Sequence, residues 1–139
     1  MDFRDSTEEA AFRERLRAWL DVHAKEFPTS GDAYWAKAGD WHRALYEGGF
    51  FGLSWPKEFG GKDLPPLYDV ILDEELTRAG APARPSLGYL VTGLGRHASK
   101  EIQQRFLPGM INGTERYCQG FSEPGAGSDL ASLTTTAVR

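Results

Sequence analysis

Apolar residues in this chain recur at helical spacing from near its start to about residue 112, and strand formers take over only after Arg116. A stripe of that period buries one face of a helix but would scatter over both faces of a strand, so the chain must first fold as packed helices. Ser6 and Glu9 have capping-box spacing, and Phe12, Leu16, Trp19, Leu20 and His23 follow as a stripe opposite Arg13, Glu14, Arg15 and Arg17. Pro28 and Gly31 end this helix. A second is expected over Ala33–Glu47, with Trp35, Ala38, His42 and Leu45 inward and Gly48-Gly49 closing it. Residues 50–66 break both periods and read as an ordered loop tied down by Phe51, Leu53, Trp55 and Phe59. A third helix runs from Pro66 to Ala79 on Leu67, Ile71, Leu72 and Leu76, with Gly80 as its stop. Ser86–Ala98 reads as a buried helix despite its glycines, and Ser99 caps a short one carrying Ile102 and Phe106 that Pro108 halts. Two strands are then expected, over Arg116–Phe121 and Thr134–Val138.

The class is therefore mainly α, with a helical domain over residues 1–114 and the first strands of a β domain over 115–139. Two strands do not make a stable sheet, so the chain reads as cut off at the start of that second domain. The 139 residues carry 16 Lys+Arg against 20 Asp+Glu, a formal charge of −4, and are 40% hydrophobic, which suits a globular core and argues against disorder. No basic stripe offers a nucleic-acid footprint, and no apolar run approaches the ~18 residues of a membrane span. The charged first twenty residues lack a signal-peptide core, so a cytoplasmic protein is expected. Cys118 is the single cysteine, which excludes an internal disulfide, and in its expected strand it reads as structural.

Chemistry is best sought between Gln119 and Asp129. Gly125 and Gly127 allow the backbone to turn sharply and bring amide N–H groups close to a ligand, Ser122 and Ser128 add hydroxyls, and Asp129 can cap a following turn. That composition suits a phosphorylated or polar heteroaromatic ligand, and from physics alone it suits a tight connection between strands equally well. Familiar motifs fail here. Leu130 stands where a dinucleotide fingerprint needs its third glycine, Pro124 replaces the second glycine of a nucleophile elbow, and no Walker loop occurs. His23, His42 and His97 are scattered and read as packed residues rather than ligands. The carboxylates Asp73, Glu74 and Glu75 read as a solvated helix face, and Trp19, Trp35, Trp41 and Trp55 as core or interface.

The stretch Tyr117–Leu130, with Ser122-Glu123-Pro124-Gly125-Ala126-Gly127-Ser128-Asp129 at its centre, resembles the signature of acyl-CoA dehydrogenases. Residues 52–61 are similar to that family's loop between N-terminal helices, and residues 102–108 with 113–115 to its approach to the β domain. The resemblance implies an N-terminal helical domain followed by the opening of a flavin-binding β domain. It implies FAD as cofactor, with Gln119, Phe121 and Ser122 by the ring, Gly127 and Ser128 by the pyrophosphate, and Ser128 also touching acyl-CoA. The implied reaction removes two hydrogens across the α–β bond of an acyl-CoA. The glutamate base is expected beyond Arg139, so no catalytic residue is assigned in this chain, and Glu123 is not that base. Electron-transferring flavoprotein is the implied acceptor, and a homo- or hetero-oligomer the implied assembly. Met1-Asp2-Phe3 and the Cys118–Phe121 variant resemble bacterial members acting on fatty acyl or steroid-side-chain CoA esters. The residues leave open a non-catalytic helical module or partner-dependent subunit, and an oxidase on the same scaffold. The helix over 87–94 is expected to wall part of the acyl pocket, with Gly93 giving room for bulk.

Overall fold

The first helix starts where its cap is complete at both ends of the box. In the computed structural model, which describes residues 4–118, 120–136 and 138, Ser6 Oγ accepts from the Glu9 N–H at 3.3 Å and Glu9 Oε2 accepts from the Ser6 N–H at 2.7 Å. From there α1 runs Thr7–His23 and passes into one 3₁₀ turn, Ala24–Glu26. It is followed by α2 (Gly31–Glu47), α3 (Leu67–Arg78), α4 (Gly88–His97) and α5 (Lys100–Asn112). Packing joins α1 to α3, α2 to α5 and α4 to α5. The core is built from Phe12, Leu16 and Leu20 of α1, Trp41 and Leu45 of α2, Ile71, Leu72 and Leu76 of α3, and Leu107, Met110 and Ile111 of α5.

The loop over 50–66 is as buried as the helices. Phe50, Phe51, Leu53, Trp55 and Phe59 all sit in the core, and the chain folds back on itself as the Lys62, Asp63 and Leu64 N–H groups donate to Gly52, Trp55 and Leu53 carbonyls at 2.9, 2.9 and 2.8 Å. Gly52 and Gly60 take φ of 67° and 97°, the left-handed region that lets the loop reverse. Buried polar groups knit the connections. Trp41 Nε1 donates to the Pro82 and Ala83 carbonyls at 3.1 and 3.2 Å. His42 Nε2 donates to the Ile111 carbonyl at 3.2 Å, and burial pushes the ring's pKa down, favouring the neutral imidazole. Gln103 Nε2 donates to the Leu94, Gly95 and Ala98 carbonyls, closing the end of α4.

Several expectations need correction. Trp35 is 63% exposed and Trp41 takes the buried place on α2, because Trp41 alone of the two reaches carbonyl partners for its indole N–H. Pro108 does not halt α5, which continues to Asn112. The lost N–H and the crowding of the carbonyl four residues earlier are outweighed by burial of Leu107, Met110 and Ile111 around it. Residues 116–118 and 120–136 form no strand among the described residues. A strand needs a neighbour to pair with, and only an isolated bridge between Glu123 and Ala126 is present.

The fourth correction concerns the carboxylate run of α3. Glu75 is 2% exposed, and three arginines converge on it. Arg13 Nη1 donates at 2.9 Å, Arg17 donates through Nε and Nη2 at 2.9 and 2.8 Å, and Arg78 donates from one turn further along α3. The Arg17 guanidinium, with Arg78 and Arg13 beside it, holds the Glu75 carboxyl down at about 2. Arg13 also donates to Asp5 and Glu74. This cluster fastens α1 to α3. Removing one member of such a buried pair costs about 3 kcal/mol or more, so Glu75→Gln should lower the unfolding free energy by that amount in a denaturant titration. Glu58→Gln, at an exposed pair with Lys100, should change it by less than about 0.5 kcal/mol. A carboxyl held below its ordinary value stabilises the fold above that value, so the Glu75 contribution is whole near neutrality. It should drain away as pH falls from about 4.5 towards about 2.

Candidate functional site

The segment after α5 makes its own small framework. The Glu123 N–H donates to the Ala126 carbonyl at 3.1 Å and the Ala126 N–H to the Glu123 carbonyl at 3.0 Å, which fixes the Pro124-Gly125 turn. Ala126 is the buried anchor of that turn. The Glu123 carboxylate then clasps the far end of the segment: Oε2 accepts from the Thr134 N–H and hydroxyl at 3.0 and 2.9 Å, and Oε1 from the Thr135 N–H at 2.7 Å and from its hydroxyl. These donors hold the carboxyl down at about 2. A single 3₁₀ turn, Leu130–Ser132, lies between, closed by the Ser132 N–H and hydroxyl on the Asp129 carbonyl. The turn expected after Asp129 is there, but the Asp129 side chain does not cap it.

On this framework Phe121, Ser122, Gly127 and Ser128 all face outward. Gln119 lies outside the described residues, as do Met1-Asp2-Phe3 and Ala137. Among the described residues the Gly125, Gly127 and Ser128 N–H groups and the Ser122 and Ser128 hydroxyls make no hydrogen bond. Neither Gly125 nor Gly127 adopts a positive φ, so backbone geometry does not require glycine at either place. A Cβ added at either would meet nothing. The two glycines leave open space beside exposed amides that make no hydrogen bond among the described residues.

Two cavities flank α4. One of about 480 Å³ is lined by Trp55 and Phe59 of the buried loop, by Asp69 and Arg84, and by Gly88, Val91, Thr92 and Gly95 along one face of the helix. The other, of about 350 Å³, lies between Tyr34, Trp35 and His42 of α2, the turn at Arg84–Leu87, Tyr89, and Tyr117. Gly93 lines neither cavity; Gly88 and Gly95 are the open backbone positions on the larger one. Of α4 only Val91 is fully buried, so this helix is a wall rather than a core element. Cys118 is exposed and in no strand, which corrects its reading as structural. The described residues hold no cluster of three or more potential metal ligands, and no helix among them is long and apolar enough to cross a membrane. Arg84, which the sequence pattern does not single out, bonds Asp73 and Asp69 on α3, 11 and 15 residues earlier.

Residues 6–114 match the family described as "Acyl-CoA dehydrogenase, N-terminal domain". The chain belongs to the acyl-CoA dehydrogenase family. Acyl-CoA dehydrogenase IpdE1 of Mycobacterium tuberculosis is 38% identical over 141 residues, which cover 91% of this chain and 36% of that protein. Among solved structures, "Tcur3481-Tcur3483 steroid ACAD" superposes with a TM-score of 0.78 at 32% identity, over 100% of this chain and 38% of that one. The ChsE4-ChsE5 complex from Mycobacterium tuberculosis superposes with a TM-score of 0.76 at 32% identity, over 100% of this chain and 36% of that one. This chain thus spans little more than a third of the length of these relatives.

The clasp makes a local prediction. Glu123→Ala should release the Thr134 and Thr135 amides to fast hydrogen exchange while protection within α1, α3 and α5 stays unchanged. Equal exchange at those two amides in both proteins would show that Glu123 does not hold the segment.

Proposed function

We propose that this chain is the N-terminal portion of an FAD-dependent acyl-CoA dehydrogenase, an oxidoreductase of lipid metabolism that desaturates the α–β bond of an acyl-CoA thioester. In this reading residues 1–114 are the helical domain and residues 115–139 open the β domain. The observation that carries the reading is the pairing of a framework closed by Glu123 with amides and hydroxyls left unspent on its outer side. Those donors, with open space above Gly125 and Gly127, fit a cofactor that has a pyrophosphate and a hydrogen-bonding ring edge.

Gly127 and Ser128 N–H groups are the donors for the pyrophosphate, with the Ser128 hydroxyl shared with acyl-CoA. The backbone at Gln119 and Phe121 and the Ser122 hydroxyl serve the ring edge, where fixed donors stabilise the negative charge that develops on reduction. FAD, when bound, supplies acceptance of the β hydrogen as hydride. The chain's own part is to orient and hold: the Glu123 clasp keeps the donors in register, and α4 with the loop over 54–59 lines the cavity offered to the acyl group. Glu123 is a poor proton acceptor, because its carboxylate is fully engaged and its pKa is held at about 2. No residue of this chain is assigned as the base. The 139 residues alone do not complete a turnover, and the protein works in the cytoplasm with other subunits or copies and passes electrons to an electron-transferring flavoprotein. The similarity to a structure described as a steroid ACAD and to a two-component complex supports a bulky acyl group as substrate and a heteromeric assembly.

The test uses the whole protein, purified with any subunit that accompanies it. Incubated without oxygen in the presence of an artificial electron acceptor, it should convert an acyl-CoA to a product two hydrogens lighter by mass spectrometry. An unchanged substrate would contradict the reading, and turnover only with molecular oxygen would favour an oxidase. Gly127→Val should keep the helical fold, since a side chain there meets nothing within this chain, and should lose most of the bound flavin.

A further inference from the structure

We propose that Glu115 is a positioning residue: its bonds to α5 and to Tyr117 form the joint that fixes the segment of flavin donors against the helical domain. The inference rests on the FAD reading above. Among the described residues, the hydrogen bonds of residues 118 and 120–136 all run within that segment, and none reaches the helices. The framework around Glu123 is thus closed on itself in its hydrogen bonding, and its orientation is set by what precedes it. The last bonds to the helical domain before it lie at Glu115, which also holds Tyr117.

Several contacts build the joint. The Glu115 N–H donates to the Gly109 carbonyl at 3.1 Å, so the chain turns back onto α5 directly after that helix ends. Gly113, with φ of 76°, makes the turn. The Glu115 carboxylate accepts from Arg105 Nη1 at 2.7 Å and, through its other oxygen, from the Tyr117 hydroxyl. The Tyr117 ring packs against the core and meets Phe106 of α5 edge-on, with 6.3 Å between centroids. Gly109 is part of the fit. A Cβ there would stand 2.9 Å from the Glu115 carboxyl carbon, so the bare turn of α5 is what lets the carboxylate lie on the helix. Bonds from Tyr117 and Arg105 hold the Glu115 carboxyl below its ordinary range, and burial beside that carboxylate lifts the Tyr117 hydroxyl to about 12. Near neutrality the acceptor is therefore charged and the donor keeps its proton. An exposed Arg–Glu pair alone constrains little, but this carboxylate also grips a ring that is packed on the core. Ser122 follows Tyr117 by only five residues. In the proposed reaction the flavin donors and the acyl cavity beside α4 belong to separate frameworks, and the joint sets how one approaches the other. A misplacement of about 1 Å between reacting partners costs about a hundredfold in rate.

The experiment uses the whole protein with any subunit that accompanies it, and compares the parent with Glu115→Ala, Glu115→Gln and Gly109→Ala. It reads hydrogen exchange of the apo-protein, the Kd for FAD, and kcat and KM with an artificial electron acceptor on butanoyl-CoA and on a polycyclic acyl-CoA. In Glu115→Ala the amide at residue 115 should exchange about tenfold faster while Thr134 and Thr135 keep their protection. On the ester that the parent turns over faster, kcat should fall by about tenfold or more, with KM and the FAD Kd within about threefold of the parent. Glu115→Gln keeps the length and an acceptor oxygen for both donors, and should restore most of kcat. Gly109→Ala favours the helix and displaces only the flexible end of Glu115, so it should lower kcat while α5 keeps its protection. Faster exchange at residue 115 with an unchanged kcat would overturn the joint, as would a Glu115→Gln protein as slow as Glu115→Ala. A matching loss of FAD affinity would also overturn it, by showing that Glu115 shapes the cradle itself. Should Glu115→Ala fail to fold, an unchanged kcat in Gly109→Ala would overturn the joint instead. A parent protein that neither binds FAD nor oxidises either ester would overturn the cofactor reading and the joint together, whereas a working parent with variants equal to it removes the joint alone.

Discussion

Glu75 is the fixed point of this scaffold. A carboxylate at 2% exposure is tolerated only because Arg13, Arg17 and Arg78 surround it, and two of these come from α1. That requirement sets the rotation of α1 on α3, which in turn sets where Phe12, Leu16 and Leu20 meet Ile71, Leu72 and Leu76. With α3 placed, Asp69 and Asp73 present their carboxylates to Arg84, and the connection into α4 is held on its course. That placement also brings Asp69 of α3 into the lining of the larger cavity.

Polar groups in the chain divide into those spent on the fold and those left over. Trp41, His42 and Gln103 use side-chain N–H groups to satisfy carbonyls where the helices join or end, and Glu123 uses its oxygens on the two threonines. The unspent donors collect at Gly125–Ser128. Those amides are exposed and free to bond water or a ligand. This contrast gives the loop its place in the proposed chemistry.

Much of the helical part was legible because its signals are local. The Ser6–Glu9 box, the Ser99 cap, the Gly48-Gly49 stop and the apolar anchors of residues 50–66 each depend on residues a few places apart. Glu75 was not legible. It sits in an acidic run that reads as solvated, and its partners Arg13 and Arg17 are 62 and 58 residues away. Trp35 and Trp41 both fit a plausible inward stripe, and the choice between them depends on carbonyls more than forty residues on. Pro108 misled because helix propensity was set against burial that only the packed structure reveals. The sequence pattern after Arg116 suits strands, but pairing is a property of neighbours and not of composition. The turn around Glu123 was legible because its residues lie next to one another in the chain. The part of Glu123 as a clasp, and the bare face of α4, emerge only from the fold.

In the proposed function the open amides of Gly127 and Ser128 cradle the cofactor. Hydrogen exchange of the whole apo-protein, measured with and without FAD, addresses that claim directly. The account predicts that FAD slows exchange at the Gly127 and Ser128 amides well beyond any change within α1 or α3. FAD bound at full occupancy with those two amides exchanging at their original rate would contradict it.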